Sequence, residues 1–372
     1  MHYQLLWGGY LDLSIKKKNI IICTTEYVTS KSYGGLAIFL QKFIKCLTKD
    51  YNVHLVITSS INEKKYHKGI NIYNIDIDNF FFKVLKKYFI TLFYVLQSWL
   101  INRKVSEIID KKKIEFVHFS NYQCIGMLYN HDIPTITRLS SLESLWSKKN
   151  FFSTKEILEK YTLKKTNIIL SPSKFLIKEL KKSYNLKSYF FPPLIEKIKK
   201  KKIKTDKKII LTFGSISPGK GSYTIEKNIH NILSINKKIY YYWIGNVDKQ
   251  YYKSNIDFEK KLKANTSHSK RVSVFSKMER KRLFYFLNKS EMVLLPSERD
   301  NSPNAALEAL AVGKIIIARK NSGYDDLIKN NYNGYLFNKY KDNEILLIIK
   351  KYLNLNKKTK DKIKKNIYLR NK

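Results

Sequence analysis

The sequence predicts an α/β protein of two halves, each a parallel sheet wound with helices. Short apolar runs alternate with segments of helical period, the alternation pauses in an almost all-lysine stretch, and it restarts afterwards. We therefore predict a first domain at residues 1–195, a basic linker at 196–208, a second domain at 209–343 and a helical tail at 344–372. Because ligands of such sheets bind beyond the carboxyl ends of the strands, we expect the site in a cleft between the halves.

The predicted strands are short apolar runs bounded by turn residues. In the first half they are Asn19–Cys23, Val53–Thr58, Phe116–Phe119, Thr135–Thr137 and Ile168–Leu170. In the second half they are Ile209–Phe213, Tyr240–Ile244, Met292–Leu295, Ile315–Ala318 and Tyr335–Phe337. Two predicted helices each follow such a strand: Leu36–Leu47, entered through Gly34 and Gly35, and Pro303–Val312.

The composition narrows the class of protein. With 372 residues and 44% hydrophobic content, the chain has ample apolar side chains for packed cores. Its formal charge of +41 favours phosphate, nucleic acid or an anionic membrane as a partner. A bias toward lysine along the whole chain supplies most of that charge.

Cysteine and histidine usage argues against structural metal or disulfides. Cys23, Cys46 and Cys124 form no CxxC pair, and the histidines form no HExxH pattern. No apolar run reaches the ~18–20 residues that span a bilayer, and residues 1–19 lack the pattern of a secretory signal. We predict a cytoplasmic protein, or one that lies on the cytoplasmic face of a membrane.

The segment from Leu295 to Gly313 contains the clearest candidate site. Ser302 is predicted to cap a helix that starts at Pro303 and ends before Gly313. The amino end of this helix offers free amides and about half a unit of positive charge, which suits a diphosphate. The residues expected there are Asn301, Ser302, Pro303, Asn304 and Ala305, with Asp300 just before the helix and Glu308 inside it.

Asp300 and Glu308 are separated by seven residues, and a small-residue helix, Gly313, a strand and a turn with Gly323 follow in order. This order resembles the signature of family 4 glycosyltransferases, in which two glutamates take the positions of Asp300 and Glu308. Asp300 is one carbon shorter than the family's residue. The resemblance runs from about Asn19 to Asn338 and implies the GT-B fold, in which two Rossmann-like domains face each other across a cleft.

Two glycine-bearing loops extend the resemblance. The loop after Phe213 resembles the family's phosphate loop, which implies donor contacts from Gly214, Ser215 and Lys220. Ser215 stands where the family has an arginine, so one of two phosphate cations is missing. Gly34 and Gly35 resemble the glycine loop that lies against the donor in the family's first domain.

The acceptor side is predicted from the stretch that follows the strand Thr135–Thr137. The family often carries a histidine there, and Ser140 takes its place, which removes one contact to the sugar. Arg138 and Glu143 are the other candidate contacts with the acceptor. His118, at the end of an earlier strand, is predicted to be structural.

The resemblance implies retaining transfer of a sugar from a nucleotide-sugar donor to a saccharide or lipid-linked acceptor, in synthesis of a bacterial cell-surface polysaccharide. Lys220 and the helix amides would stabilise the leaving diphosphate, Asp300 would hold a sugar hydroxyl, and Glu308 would accept hydrogen bonds from the ribose. No cofactor and no metal are expected. Asp76 and Asp78 could suggest a metal site, but they lie in the other half of the chain from the phosphate elements.

The stretch from Phe80 to Leu100 is helical in period, aromatic and basic. Two interpretations stay open, a surface helix that dips into an anionic membrane and a core helix of the first half. Two other functions also stay open: a sugar-nucleotide epimerase on the same fold, and a basic membrane- or nucleic-acid-binding protein with an inactive site. Because Lys220, Asp300, Glu308 and the glycine pair occur together, we predict an active enzyme with no nucleic-acid partner.

Overall fold

The structure is a computed structural model of the 372-residue chain. It describes residues 17–30, 34–58, 69–145, 153–193, 203, 205–298, 300–301, 303–338 and 343–370. Contacts divide the chain into two compact units, Met1–Thr137 with Phe152–Ile168, and Arg138–Phe151 with Ile169–Lys372. Of the predicted linker at 196–208, only residues 203 and 205–208 belong to the described part of the chain.

The first sheet has seven strands, in the order β3-β2-β1-β4-β5-β6-β7. Its strands are β1 (Lys18–Thr24), β2 (Tyr51–Ile57), β3 (Ile70–Asn74), β4 (Ile114–Ser120), β5 (Thr135–Arg138), β6 (Ile168–Ser171) and β7 (Tyr189–Phe190). The helices of this region are α1 (Gly35–Leu47), α2 (Phe80–Tyr88), α3 (Ile90–Ile109), α4 (Thr154–Lys164) and α5 (Lys174–Tyr184). Strand β1 lies in the interior of this sheet, so its apolar run is buried on both faces.

The second sheet has six strands, in the order β10-β9-β8-β11-β12-β13. Its strands are β8 (Lys208–Phe213), β9 (Ile239–Ile244), β10 (Val272–Phe275), β11 (Met292–Leu295), β12 (Ile315–Arg319) and β13 (Tyr335–Phe337). Its helices are α6 (Ser222–Ser234), α7 (Asn255–Ala264), α8 (Arg280–Lys289), α9 (Asn304–Ala311), α10 (Asn343–Asn354) and α11 (Lys357–Arg370). One continuous hydrophobic core joins this sheet to its helices.

The strand order of the second sheet fixes where a ligand can bind. Its registered strand pairs are all parallel, and the order reverses between β8 and β11. At such a reversal the connections after the two neighbouring strands leave in opposite directions, and a crevice opens at the carboxyl ends. The loops after β8 and β11 therefore form the expected binding edge of this unit.

The predicted strands are all confirmed, and each lies within two residues of the observed ends. Three strands were not predicted: β3, β7 and β10. All three are edge strands of their sheets, and they are only partly buried or exposed. An edge strand lacks the continuous apolar run of a central strand, so its sequence carries a weaker signal.

The aromatic stretch from Phe80 to Leu100 divides at Phe89, which has non-helical dihedral angles. Helix α2 buries only Leu85 and exposes Phe80, Phe81 and Tyr88. Helix α3 instead packs into the first unit through the buried residues Phe93, Tyr94, Gln97, Ser98, Ile101, Val105 and Ile108. The surface interpretation therefore fits α2, and the core interpretation fits α3.

The remaining structural predictions concern cysteines, a histidine and membrane spans. Cys23 and Cys124 are buried, Cys46 is exposed, and all three are free thiols. His118 is buried, and its ring lies 5.4 Å from the ring of Phe43 between centroids, which fits a structural residue. None of the helices in the described part of the chain combines the length and apolarity that crossing a bilayer demands.

Candidate active site

Lys220 and Asp300, two of the predicted catalytic residues, form an ion pair. The Lys220 Nζ lies 2.8 Å from the Asp300 Oδ2, although the residues are 80 positions apart. Lys220 belongs to the loop after β8 and Asp300 to the loop after β11, so the pair sits where the strand order reverses. The side chain of Lys220 is 39% exposed and that of Asp300 15%, so a ligand can reach both.

Close packing of the two loops brings this pair together. Gly221 has a left-handed φ of +86°, and a Cβ at this position would lie 2.5 Å from the carbonyl oxygen of Pro296. The Glu298 amide donates to the Gly219 carbonyl oxygen at 3.0 Å. A side chain at Gly221 would push the loops apart, and Lys220 would lose its contact with Asp300.

Tyr324 also binds Asp300, and sequence reasoning missed it. Its buried hydroxyl lies 3.4 Å from the Asp300 Oδ2 and 3.3 Å from the Ser297 Oγ. Burial, and then the charge of Asp300, raises the pKa of Tyr324 well above its ordinary value, so the phenol stays protonated. With its single proton Tyr324 can donate to Asp300 while it accepts from Ser297.

The two contacts of Asp300 fall on the same oxygen. Lys220 and Tyr324 both bind Oδ2, and among the described residues Oδ1 has no hydrogen-bond partner. A carboxylate held at one oxygen presents the other in a fixed direction. Asp300 is therefore arranged to accept a hydrogen bond from a ligand.

The turn that contains Tyr324 packs directly on Asp300. The Gly323 amide donates to the Asp300 carbonyl oxygen at 2.7 Å. A Cβ on Gly323 would lie 2.7 Å from the carbonyl oxygens of Asp300 and Asn301. The glycine predicted from the family signature is therefore required by a close approach of two backbones.

Helix α9 begins one residue later than predicted. Its first residue is Asn304, and Pro303 precedes it as the N-cap with a ψ of 82°. The prediction that Pro303 opens the helix is wrong, because its ψ is far from the helical range. Ser302, the predicted cap, lies outside the described residues. The helix stops at Ala311, one residue before the predicted Val312, and Gly313, the predicted end signal, takes a left-handed φ of +72°.

The small residues of α9 serve packing more than ligand approach. Ala306 and Ala309 are fully buried in the core of the second unit. Asn304 and Ala305 are half-buried at the amino end of the helix, where backbone amides have no intrahelical acceptor. These two residues therefore lie at the positive end of the helix dipole.

Asn301 links the donor segment to the predicted acceptor segment. Its Nδ2 donates to the Ser141 Oγ at 3.1 Å, and Ser141 follows Ser140 in the chain. The Asn301 Oδ1 is buried and has no hydrogen-bond partner among the described residues. A buried acceptor without a partner is costly, so a ligand hydroxyl or amide would stabilise it.

Glu308 forms an ion pair with Arg280, which sequence reasoning did not single out. Its Oε1 lies 3.4 Å from the Arg280 Nη2, and its side chain is only 14% exposed. Arg280 begins α8, and its guanidinium lies 5.5 Å from the ring centroid of Phe284. A ribose hydroxyl would therefore share the Glu308 carboxylate with Arg280.

The glycine pair of the first unit already has an anionic partner. The Gly34 amide donates to the Glu26 Oε2 at 2.9 Å, and the Ala37 amide donates to the Oε1 at 3.3 Å. Gly35 is the first residue of α1, so Glu26 neutralises the positive end of that helix. A donor phosphate that approached Gly34 would compete with Glu26. The sequence signal was weak, a single acid shortly after β1.

The other predicted contacts differ in accessibility. Gly214 has a φ of +121°, its carbonyl oxygen accepts from the Trp243 Nε1 at 3.2 Å, and Ser215 beside it is exposed.

Arg138 is buried and donates from Nη1 to the Leu139 carbonyl oxygen at 3.3 Å. Burial lowers the pKa of Arg138 to about 9.

Ser140 and Glu143 are half-buried, and Glu143 opens a short 3₁₀ turn at Glu143–Leu145. The structure thus leaves these two residues, more than Arg138, at the surface of the predicted acceptor segment.

The described residues contain no group of three His, Cys, Asp or Glu side chains placed to hold a metal. The Asp76 Oδ1 accepts from the Asp78 amide at 2.9 Å, and the Asp78 Oδ1 lies 3.1 Å from the Lys83 Nζ. These two carboxylates therefore have local partners at the start of α2.

Two parallel sheets wound with helices in one chain are the architecture of the GT-B class of glycosyltransferases. Residues 195–370 match the family described as glycosyl transferases group 1. This segment is a domain of that family, and the chain has the GT-B fold of the solved glycosyltransferases that it resembles.

Known proteins resemble the chain over most of its length. An uncharacterized glycosyltransferase of Methanocaldococcus jannaschii is 23% identical over 320 residues, which cover 84% of this chain and 82% of that protein. Sucrose-phosphate synthase from Thermosynechococcus elongatus superposes with a TM-score of 0.77 at 14% identity, covering 95% of this chain and 94% of that one. HepE from Anabaena, solved with UDP and glucose, superposes with a TM-score of 0.69 at 12% identity, covering 95% of this chain and 94% of that one. These solved structures establish the fold.

Proposed function

We propose that the chain is a metal-independent, retaining glycosyltransferase that moves a sugar from a nucleoside-diphosphate donor to a saccharide or lipid-linked acceptor. The observation that carries the proposal is the Lys220–Asp300 pair at the strand reversal of the second sheet. A cation and a carboxylate there can bind the two ends of the reacting group, phosphate and sugar. HepE, which shares the fold, was solved with a nucleotide and a sugar of this kind.

In this reaction the bond between the anomeric carbon and a diphosphate oxygen breaks, and the oxygen leaves with the electron pair. Lys220 and the amides at the start of α9, at Asn304 and Ala305, supply positive charge where that negative charge grows. The acceptor oxygen bonds to the same face of the anomeric carbon, and its proton passes to the departing diphosphate oxygen. The residues of this site can therefore supply the charge that a metal ion would otherwise provide.

Asp300 and Glu308 orient the donor in the proposed reaction. The Asp300 Oδ1 accepts a sugar hydroxyl, while Lys220 and Tyr324 hold Oδ2 in place. The Tyr324 hydroxyl fixes a carboxylate that is one carbon shorter than the family's glutamate. Glu308, anchored by Arg280, accepts a ribose hydroxyl.

The acceptor in this proposal is a saccharide or a lipid-linked acceptor, and its setting is bacterial cell-surface polysaccharide synthesis. Asn301 contacts Ser141 and offers its buried Oδ1 as an acceptor for a hydroxyl. Ser140 and Glu143 lie on the same segment as Ser141 and are accessible in part. If the acceptor is lipid-linked, contact with a membrane would bring it to the enzyme.

The proposed function is tested by a product screen. We expect the purified chain to consume one nucleotide sugar from a panel of UDP-, GDP- and ADP-sugars, and to transfer it to an added saccharide or lipid-linked acceptor. Mass spectrometry identifies the product, and NMR should show that it keeps the anomeric configuration of the donor. After metal stripping and in excess EDTA most of the rate should remain, because Lys220 and the helix amides supply the charge.

Three outcomes would contradict parts of this proposal. Isomerisation of a UDP-sugar without any acceptor would identify an epimerase, and an inverted product would exclude retention. Loss of activity in EDTA with rescue by Mn²⁺ would show that a metal is needed. The intact chain with Mn²⁺ and no EDTA serves as the reference rate.

We further propose that α2 rests on an anionic membrane on the cytoplasmic face. Its exposed side chains include Phe80 at 83%, Tyr88 at 65% and Phe81 at 56%, and the adjoining Phe89 is 59% exposed. Three lysines, Lys83, Lys86 and Lys87, lie on the same helix. Aromatic side chains beside lysines suit the boundary between acyl chains and anionic headgroups.

A vesicle assay tests this surface. The chain should sediment with anionic vesicles, and the bound fraction should fall with salt, since each lysine near such a surface contributes about 1 kcal/mol. Changing Lys83, Lys86 and Lys87 to Glu should release it, and Phe80→Ser with Phe81→Ser should remove the salt-insensitive part. The matched control changes the exposed Lys111, Lys112 and Lys113 of the same unit to Glu. If the control and test variants lose vesicle binding equally, only the total charge of the chain determines that binding.

A further inference from the structure

The second unit has a basic cavity that is separate from the proposed donor site. Its volume is about 920 Å³. It is lined at the amino ends of four strands: Lys208 begins β8, Lys238 precedes β9, Glu291 precedes β11 and Lys314 precedes β12. In a parallel sheet these ends lie opposite the carboxyl ends, and a strand of six residues such as β8 separates them by about 20 Å. The cavity therefore cannot be part of the Lys220–Asp300 site.

Positive charge is concentrated in this cavity. Eight lysines and three acidic residues are among its 18 lining residues, a formal surplus of five positive charges. Lysine and arginine together make up 71 of the 372 residues of the chain, so lysine is more than twice as frequent in the lining. The lysine bias of the whole chain does not account for this concentration.

Only some of these lysines have partners within the protein. The Lys314 Nζ donates to the carbonyl oxygens of Asn288 and Ser290 at 2.9 and 2.6 Å, and so has a structural role. In the described part of the chain the side chains of Lys208, Lys238 and Lys364 form no hydrogen bond or ion pair. These three lysines come from different elements, the start of β8, the turn before β9 and helix α11, and line one space.

The clustered lysines act on one another. Burial lowers the pKa of Lys360, and the charges of Lys208 and Lys364 lower it further, against the opposing charge of Glu291. A multivalent anion in the cavity would reverse this unfavourable interaction. A monovalent anion would meet too few of the converging charges to do so.

We propose that this cavity binds a small anion with several phosphate groups, such as an inorganic polyphosphate or a nucleoside triphosphate. Three cations converging from separate elements match a chain of phosphates. The volume falls within the roughly 300–1,000 Å³ of small-molecule sites, and a concave site excludes the flat surface of a bilayer. The site is independent of the proposed transferase reaction, because it shares no residue with it.

Calorimetry on the full chain in about 0.15 M salt tests the cavity, with tripolyphosphate and ATP titrated separately to distinguish an inorganic from a nucleotide ligand. At least one should bind. The triple variant Lys208→Gln, Lys238→Gln, Lys364→Gln should weaken that binding roughly tenfold or more. The matched control changes Lys227, Lys260 and Lys350 to Gln, which removes the same charge from exposed positions on α6, α7 and α10. It should bind within about twofold of the unmodified chain.

Three results would overturn the proposal. The first is that neither anion binds, and the second is that the control loses as much affinity as the cavity variant. The third is that binding survives in the cavity variant and disappears in Lys220→Met, which would place the anion at the donor site. Circular dichroism checks that each variant folds. If the triple variant does not fold, the single variant Lys238→Gln, at an exposed turn, repeats the test. We expect it to lower the affinity for the anion about threefold, and an unchanged affinity would overturn the proposal.

Discussion

Replacing Lys220 by methionine is expected to lower kcat for sugar transfer by roughly 100- to 1,000-fold, the usual effect of removing one preorganised charge from a developing anion. Methionine keeps most of the aliphatic length of lysine, so the loop after β8 can retain its packing on the loop after β11. Asp300 keeps its hydrogen bond from Tyr324. The measurement is the steady-state rate with the nucleotide sugar that the product screen identifies.

Two further variants decide what a low rate of Lys220→Met means. Lys220→Arg keeps the positive charge and should recover part of the rate that Lys220→Met loses. If Lys220 were purely structural, the rate would not depend on the charge, and the Met and Arg variants would have the same rate. Lys227→Met, at an exposed position on α6, is the control for a lysine of the same unit and should leave kcat unchanged. If Lys220→Met itself retains full activity, the leaving diphosphate is stabilised by other groups.

Glu308→Ala is expected to weaken nucleotide binding by roughly 10- to 150-fold, since a charged hydrogen bond to a ribose hydroxyl contributes about 1.5–3 kcal/mol. The carboxylate is 14% exposed, so water screens it little. Calorimetry with UDP, GDP and ADP on the intact and substituted chains measures the effect, and the largest loss should fall on the preferred nucleotide.

The Arg280–Glu308 ion pair provides the control for that experiment. Arg280→Ala removes the anchor of Glu308 but leaves the carboxylate available to ribose, so nucleotide affinity should change only a few-fold. If Glu308 serves the fold alone, both substitutions should lower the melting temperature similarly and leave nucleotide affinity unchanged. That result would remove Glu308 from the proposed donor site.

The central strands of both sheets could be predicted because each is a buried apolar run bounded by turn residues. The glycine-bearing loop after Phe213 and the turn at Gly323 were also visible in the sequence, and the structure gives the physical reason, since backbone contacts leave no room for a side chain at Gly221 or Gly323. The glycines themselves are local signals, although the backbones that require them, at Pro296, Asp300 and Asn301, are distant in the sequence.

The partners of the site residues could not be predicted in the same way. Tyr324 lies 24 positions from Asp300, and Arg280 is one of several basic residues near the start of α8. Their contacts depend on how separate loops meet, which periodicity does not reveal. Glu26 looked like an ordinary acid after a strand, yet it occupies the amides of Gly34 and Ala37. The start of α9 was predicted one residue too early because proline favours the first helical position, whereas the ψ of Pro303 is not helical.

The Lys220–Asp300 pair also bears on inhibition and on product release. Before the donor arrives, the cation of the site is already neutralised by a carboxylate 2.8 Å away, so free inorganic phosphate gains little by entering. In the proposed reaction a complete nucleotide sugar offers a phosphate to Lys220 and a hydroxyl to the Asp300 Oδ1 at once, while the pair at Oδ2 stays formed. After transfer the nucleoside diphosphate has lost the sugar, and its phosphate still shares Lys220 with Asp300. This internal competition for the cation would then weaken the binding of the spent nucleotide and ready the enzyme for the next turnover.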